Sequence, residues 1–363
     1  MARFQLLVGA QAFWERLKRD ISEAQHRVCL QVMTFEGDAV GQEVSRALHV
    51  STAADKRVLV DAYTRYVIND RFLFSPLAML DRGLVAEARA TRAMFRALEA
   101  AGVGVRFTNR VGWAFCRYPS RNHKKLMVID DVAYFGGVNF SEHNFAWHDL
   151  MLRIDDREVA QTLAADFEAS WQGRPIAGAF HFDQLEVLSL DGRSNARLFA
   201  PILERIAQAQ RSVQVISPYL TFPFDAALAS AQARGAKVTL LTPWPNNKPI
   251  IRDYLLWAAD RAGFDVRLQE KMGHMKAILI DDAVLILGSS NFDFVSYHAE
   301  DEIVALISDP ALVQHFRATV LEPDLASTRP LDKALPHWRG RASYLALRSA
   351  EQLTRLATKL PGR

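Results

Sequence analysis

Along the chain, stretches with a helical apolar period alternate with short apolar runs, and the series occurs twice in the same order. In the first half the pattern predicts a helix over 13–24, a strand over 28–35, a helix over 41–48 and a strand over 56–61. A further helix and strand follow at 90–101 and 103–108. The second half repeats this with helix 198–208, strand 212–217, helix 226–233, strand 236–242, helix 251–262 and strand 265–270. Strand and helix in alternation predict an α/β sandwich in each half. Residues 173–195, broken by Pro175, Gly192 and Ser194, read as the connection. The domain reading is therefore a first half over 1–172, that connection, a second half over 196–325 and a tail over 326–363.

Each series ends in one motif. The first copy runs Asn122, His123, Lys124, Lys125, then Leu126–Ile129, Asp130 and Asp131, a second apolar run, Gly136, Gly137 and Asn139. The second runs Gly273, His274, Met275, Lys276, then Ala277–Ile280, Asp281 and Asp282, Gly288, Ser289 and Asn291. Both are H-x-K-x4-D, and the first is one residue shorter between its aspartate and its glycines. On extended chain, residues two apart share a face, so His123 projects with Lys125 and His274 with Lys276. The next four residues are apolar throughout, as in a strand buried on both sides. The Asp pairs turn the chain back, which returns Asn139 and Asn291 toward the His–Lys end.

An imidazole, an ammonium and an amide on one patch make half of an anion site. Two such halves suit a phosphodiester: one neutral imidazole attacks phosphorus and the other, protonated, supplies the leaving alkoxide with its proton. The lysines and amides would stabilise charge on the non-bridging oxygens, so neither metal nor cofactor is expected. A lysine buried two residues from a histidine is costly without an anion, which favours chemistry over a structural histidine.

Composition adds less. The 363 residues are 50% apolar, and the two cysteines, Cys29 and Cys116, make no disulfide framework. A reducing compartment is the expectation, with no signal-peptide core and no apolar run of membrane-spanning length. Of the net charge of +3, the segment from His337 to Arg363 carries +5, leaving the body near −2. An acidic body argues against a nucleic-acid coat. The tail reads as an amphipathic helix with Ala342, Ala346, Ala350, Leu353, Ala357 and Leu360 on one face, and Arg341, Arg348, Arg355 and Lys359 opposite or to the side. It either lies on an anionic membrane or packs on the body. The apolar loop 71–80 is likewise either core filler or a surface for acyl chains.

These motifs, with Arg121-Asn122-His123, Ser217-Pro218-Tyr219 followed by Pro223, and Phe292-Asp293 with Ser296-Tyr297, resemble the phospholipase D superfamily and within it the bacterial cardiolipin synthase-like branch. The likeness runs from about Leu6 to about Leu321. It implies two α/β halves with mixed sheets, related by a pseudo-twofold, with the active site at their interface. It implies that His123 is the nucleophile and His274 the general acid. Asp149 is implied as the carboxylate orienting His123, and Glu302 as the one orienting His274. Lys125, Lys276, Asp130 and Asp281 complete the catalytic set, the two aspartates more as buttresses of the turn than as phosphate ligands. Asn139, Asn291 and Ser289 are the phosphate-binding candidates.

Three departures stand out: Gly137 in place of a serine, the one-residue deletion after Asp130, which could shift Asn139, and Glu300 where the family usually has asparagine. The resemblance implies phosphatidyl transfer between phospholipids, with phosphatidylglycerol as the expected donor; the enzyme is expected to be cytoplasmic and peripheral to the membrane, with the membrane face left open. Lipid hydrolysis and, less so, nucleic-acid cleavage are the alternatives on the same chemistry. Oligomeric state stays open.

Overall fold

The computed structural model describes residues 2–332 and 335–359 of the chain. It divides into two compact units between Ile176 and Ala177.

Unit 1 holds strands β1 (Arg3–Val8), β2 (Arg27–Val32), β3 (Asp55–Asp61), β6 (Gly104–Thr108), β7 (Leu126–Ile129), β8 (Val132–Gly136) and β9 (Leu150–Asp155), with a two-strand hairpin β4 (Val67–Ile68) and β5 (Arg71–Phe72) apart from them. The seven form one sheet in the order β1-β9-β8-β7-β2-β3-β6. β2, β3 and β6 run parallel, and the other neighbours are antiparallel. Its helices are α1 (Ala10–Glu23), α2 (Ala39–Val50), α3 (Pro76–Leu80), α4 (Arg82–Ala100), α5 (Glu142–Phe145) and α6 (Arg157–Trp171). The predicted alternation is present because each helix has an apolar stripe to bury: Phe13, Leu17 and Ile21 of α1 pack with Val28, Leu30, Tyr134 and Phe140 in one core.

Unit 2 repeats the plan with β10 (Gly178–Phe182), β11 (Leu185–Asp191), β12 (Ser212–Ile216), β13 (Lys237–Pro243), β14 (Asp265–Gln269), β15 (Ala277–Ile280), β16 (Val284–Gly288), β17 (Asp301–Ile307) and β18 (Arg329–Pro330). Their order is β10-β11-β17-β16-β15-β12-β13-β14-β18. Six successive strands, β17 to β14, have the order and directions of β9 to β6 in unit 1. The helices are α7 (Asn195–Ala207), α8 (Phe224–Ala233), α9 (Pro249–Ala262), α10 (Phe294–His298), α11 (Pro310–Phe316), α12 (Glu322–Ala326) and α13 (His337–Thr358). Among the described residues no helix is long and apolar enough to cross a membrane.

Two sequence expectations change. Residues 178–191, expected within the connection, form the hairpin β10–β11, and β11 pairs with β17 as β1 pairs with β9. The breakers Pro175, Gly192 and Ser194 flank this hairpin rather than mark a linker. The repeat thus begins one strand earlier than its helices suggest. The tail is not a separate segment either: β18 pairs with β14, and α13 packs on unit 2 through Gly340, Ser343, Leu347, Glu351, Thr354 and Ala357.

Ala342, Ala346 and Leu353 of the expected packing face are exposed, and Leu360 lies outside the described residues. The reason is close approach: a Cβ at Gly340 would sit 2.0 Å from the Trp257 ring, and small residues let α13 nest against α9. Glu351, buried, takes Arg348 at 2.8 Å, Arg355 at 2.7 Å and His298 at 3.1 Å.

Candidate active site

In unit 1, Asp61 at the end of β3 prepares the segment that carries the histidine. Its carboxylate accepts from Tyr63 N at 2.7 Å, from Arg121 Nη1 at 2.8 Å and from Asn122 N. The Asp61–Arg121 pair is buried on both sides. Gln31 from β2 donates to Asn122 Oδ1 at 2.9 Å. The chain from His123 to Lys125 is held in this way just ahead of β7, rather than within the strand as expected.

His123 and Lys125 are both buried, and Lys125 Nζ donates to the His123 carbonyl at 2.7 Å. Lys124, between them, meets Asp166 of α6 at 2.8 and 2.7 Å, a fully buried ion pair that the sequence did not advertise. Asn139 follows β8. Its Oδ1 accepts from Thr34 N at 3.2 Å and its Nδ2 donates to Asn144 Oδ1 at 3.2 Å. The amide group has two N–H donors, so a second one remains for a ligand. Asp149, buried at the start of β9, lies against Gly137, where a Cβ would come within 2.1 Å of its Oδ1. That answers the first departure: a serine has no room there.

Unit 2 builds the same patch from other contacts. His274 and Lys276 are buried, with Lys276 Nζ 2.6 Å from His274 Nδ1 and also donating to the His274 carbonyl. Tyr219 stands edge-on to the His274 ring at 5.8 Å, with Lys248 over its own ring at 5.3 Å. Met275 occupies the position that Lys124 has in unit 1, and it is buried as an ordinary apolar residue.

Ser289 does not stand open. Its hydroxyl donates to Glu302 Oε2, and it accepts from Ile303 N at 3.0 Å. The other Glu302 oxygen takes the Ser296 hydroxyl at 2.7 Å, and Glu300 lies 3.1 Å from the same hydroxyl. Ser296 thereby accommodates the unusual Glu300. Burial, together with the charge of Glu302, raises the pKa of Asp293, although Ser296 N donates to it at 2.8 Å. Asn291 is buried, and its Oδ1 has no hydrogen-bond partner among the described residues. The carboxyl cluster around Ser296, like Asp61 and Asp166, joins residues remote in sequence. Only Phe292-Asp293 with Ser296, already part of the resemblance, hinted at it.

The motif aspartates sit elsewhere. Asp130 and Asp281 are seven residues of largely extended chain beyond the histidines, roughly 20 Å away. Asp130 accepts from Gln25 N, His26 N and Arg27 N at 2.8, 3.0 and 2.8 Å. Asp281 accepts from Gln210 N, Arg211 N and Ser212 N at 2.9, 2.7 and 2.9 Å. Partial burial works to raise both pKa values, but the three amide donors prevail and hold each below the usual carboxylate range. They are turn buttresses, placed with the catalytic set by the motif and not by position.

The deletion in the first copy is absorbed in the same turn. Ile129 pairs with Val132 across two residues, and Ile280 with Val284 across three. Downstream, Gly136 meets Met151 as Gly288 meets Val304, so the path to each asparagine keeps its register.

The family described as "Cardiolipin synthase, PLD-like domain" matches residues 17–171 and 202–322. The minor cardiolipin synthase ClsB of Bacillus subtilis (strain 168) is 26% identical over 90% of this chain and 85% of its own length. The cardiolipin synthase A of Pseudomonas putida (strain W619) is 27% identical over 96% of this chain and 74% of its own length. In fold, the chain is similar to a phosphatidylserine synthase from Haemophilus influenzae Rd KW20, with a TM-score of 0.71 and 16% identity over 98% of this chain and 95% of that one. The family match takes in most of both units and both His–Lys patches, and the chain belongs to the cardiolipin synthase PLD-like domain family.

Proposed function

We propose that the chain is a phosphatidyltransferase that moves a phosphatidyl group from one phospholipid, phosphatidylglycerol, to the hydroxyl of a second. The observation that carries this reading is the pair of buried His–Lys patches, one per unit, in a chain of the cardiolipin synthase family. His123 attacks phosphorus and forms a phosphohistidine while His274 protonates the departing glycerol oxygen. His274 then takes the proton from the incoming hydroxyl, which displaces His123. Lys125, Lys276, Asn139 and Asn291 stabilise charge on the non-bridging oxygens. Asp149 and Glu302 hold the imidazoles in position, and Ser289 acts through Glu302 as well as on the phosphate side.

The enzyme works at an anionic membrane surface. On α13 the exposed side presents Trp338, Leu345, Leu353 and Leu356, with Arg341 and Lys359 alongside. An apolar ridge with a basic flank suits the headgroup zone. The test is incubation of the purified protein with phosphatidylglycerol vesicles and separation of the lipids by mass. Cardiolipin with release of glycerol is the expected product. Phosphatidic acid as the sole product would replace the transferase by a hydrolase.

A further inference from the structure

We propose that a promontory on unit 1, built from the loops after β3 and β6, inserts into the acyl region of an anionic bilayer. This rests on the lipid-substrate reading above but concerns a different surface. Its tip carries Phe72, Phe74, Leu77, Leu80 and Trp113, of which Leu77, Leu80 and Trp113 are 78%, 81% and 89% exposed. Contiguous exposure of side chains this large is rare on a surface that meets only water.

The promontory is built rather than loose. Ile68, Ala78, Leu84 and Ala88 form a small buried core of their own beneath it. Phe72 packs on Phe115 at 5.4 Å and Tyr66 on Phe115 at 5.3 Å, which ties the two loops into one body. Ser75 caps α3, Asp81 caps α4, and Arg71 pairs with Asp81 at 2.5 Å. The local core is thus satisfied while Leu77 and Leu80 stay outside it. They are surplus to folding.

Charge selects the occupant. Two adjoining cavities lie at the base of the promontory, the first of about 400 Å³, and they share Arg65, Tyr66, Glu99 and Phe107. Arg92 and Arg96 line one and Arg106 and Arg110 the other, so that five arginines face a single acid. From Asn109 to Ser120 the second loop has Arg110 and Arg117 and no acidic residue. An aromatic and aliphatic tip above a cationic base matches a bilayer with anionic headgroups, tip among acyl chains and base among phosphates. The placement also serves the chemistry: the second loop runs directly into His123, and Asp61, where the first loop begins, binds Arg121 and Asn122.

The experiment compares the full chain with Leu77→Asp/Leu80→Asp/Trp113→Ala for partition onto vesicles of phosphatidylglycerol and phosphatidylcholine in equal parts. The variant is expected to lose at least about tenfold in partition with its melting temperature unchanged. Lipids brominated in the acyl chain should quench wild-type fluorescence more than that of Trp113→Ala. Arg65→Glu/Arg110→Glu should erase the preference over pure phosphatidylcholine vesicles. Wild-type partition by the triple variant would overturn the proposal and leave docking to α13. So would a lipid-free dimer in sedimentation velocity that the triple variant abolishes, since the patch would then meet a second copy. Partition needs no turnover: a protein that makes no cardiolipin but still needs the promontory to bind vesicles refutes the transferase reading alone.

Discussion

Between histidine and lysine the first motif carries Lys124 and the second Met275, and from there the two units diverge in how they hold the same pair. In unit 1 the intervening side chain is pinned by a buried ion pair to α6, and the carboxylate at the start of the next strand fits against a bare glycine. In unit 2 the intervening residue is apolar, and the equivalent carboxylate is fixed by two serine hydroxyls. Lys125 and Lys276 each donate to the carbonyl of their own histidine, and Lys276 Nζ also lies 2.6 Å from His274 Nδ1. Duplication preserved the His–Lys pair and let its support drift.

The sharpest break of the comparison is removal of each histidine. His123→Ala and His274→Ala should each lower turnover on the order of 10⁴-fold or more. They should differ in the intermediate: a rapid detergent quench at neutral to mildly alkaline pH, where phosphohistidine survives, should find no phosphoenzyme with labelled lipid in His123→Ala and a slowly discharged one in His274→Ala. An adduct on His274 in the first variant would exchange the roles.

Making the two motifs alike at the intervening position tests the support directly. Lys124→Met copies Met275 into unit 1 but strands Asp166, which is fully buried. A stability loss of about 3–5 kcal/mol in denaturant titration is expected, because an uncompensated buried charge costs more than the pair contributes. Lys124→Met/Asp166→Leu should recover most of it. If the single variant melts like wild type, the ion pair is not what holds this segment.

The carboxylate supports give smaller effects of unequal size. Gly137→Ala forces a Cβ against Asp149, so the carboxylate must move, and a shift near 1 Å in a positioned group costs roughly 10²-fold in rate. Ser289→Ala removes one of two hydroxyls on Glu302 and should cost only about tenfold, since Ser296 remains. Equal losses would mean that the part of Ser289 on the phosphate side outweighs its part through Glu302.

The two His–Lys patches were legible in the sequence more fully than their supports, and the reason is range. The His-x-Lys spacing and the helix–strand alternation are local periodicities, so they can be read from neighbours along the chain. The partners of the site are not local: Arg121 finds Asp61, Lys124 finds Asp166, and Glu302 finds Ser289 and Ser296 only after the sheets form. Strands β1 and β11 were missed for a related cause: β1 is an edge strand with one neighbour and a weak pattern, and β11, between β10 and β17, sits among turn-forming residues. For α13 the helix was legible but its inner face was not. Small residues and a buried Glu351 took the contact, and the leucines were left outside. Of the two readings of the tail, packing on the body is the one the structure bears out: one face of α13 packs on unit 2, and the other, with Leu345, Leu353 and Leu356, is exposed.

Where the two units agree most closely, at Asp130 and Asp281, the smallest effect on catalysis is expected. Each carboxylate gathers three backbone amides at the far end of the motif strand, so Asp130→Asn should leave kcat unchanged and lower stability by about 1–2 kcal/mol. Folding depresses the pKa of this carboxyl. Its stabilising contribution is therefore complete above the unfolded value near 4 and disappears as pH falls through the lower folded value. Denaturation midpoints of wild type and Asp130→Asn should differ at pH 7 and converge once pH falls below the depressed folded value. Asp281→Asn should behave alike, because it too gathers three backbone amides and its pKa is displaced in the same direction. A fall in kcat for either variant, with stability intact, would return the motif aspartates to the chemistry and remove the one place where the two copies are interchangeable.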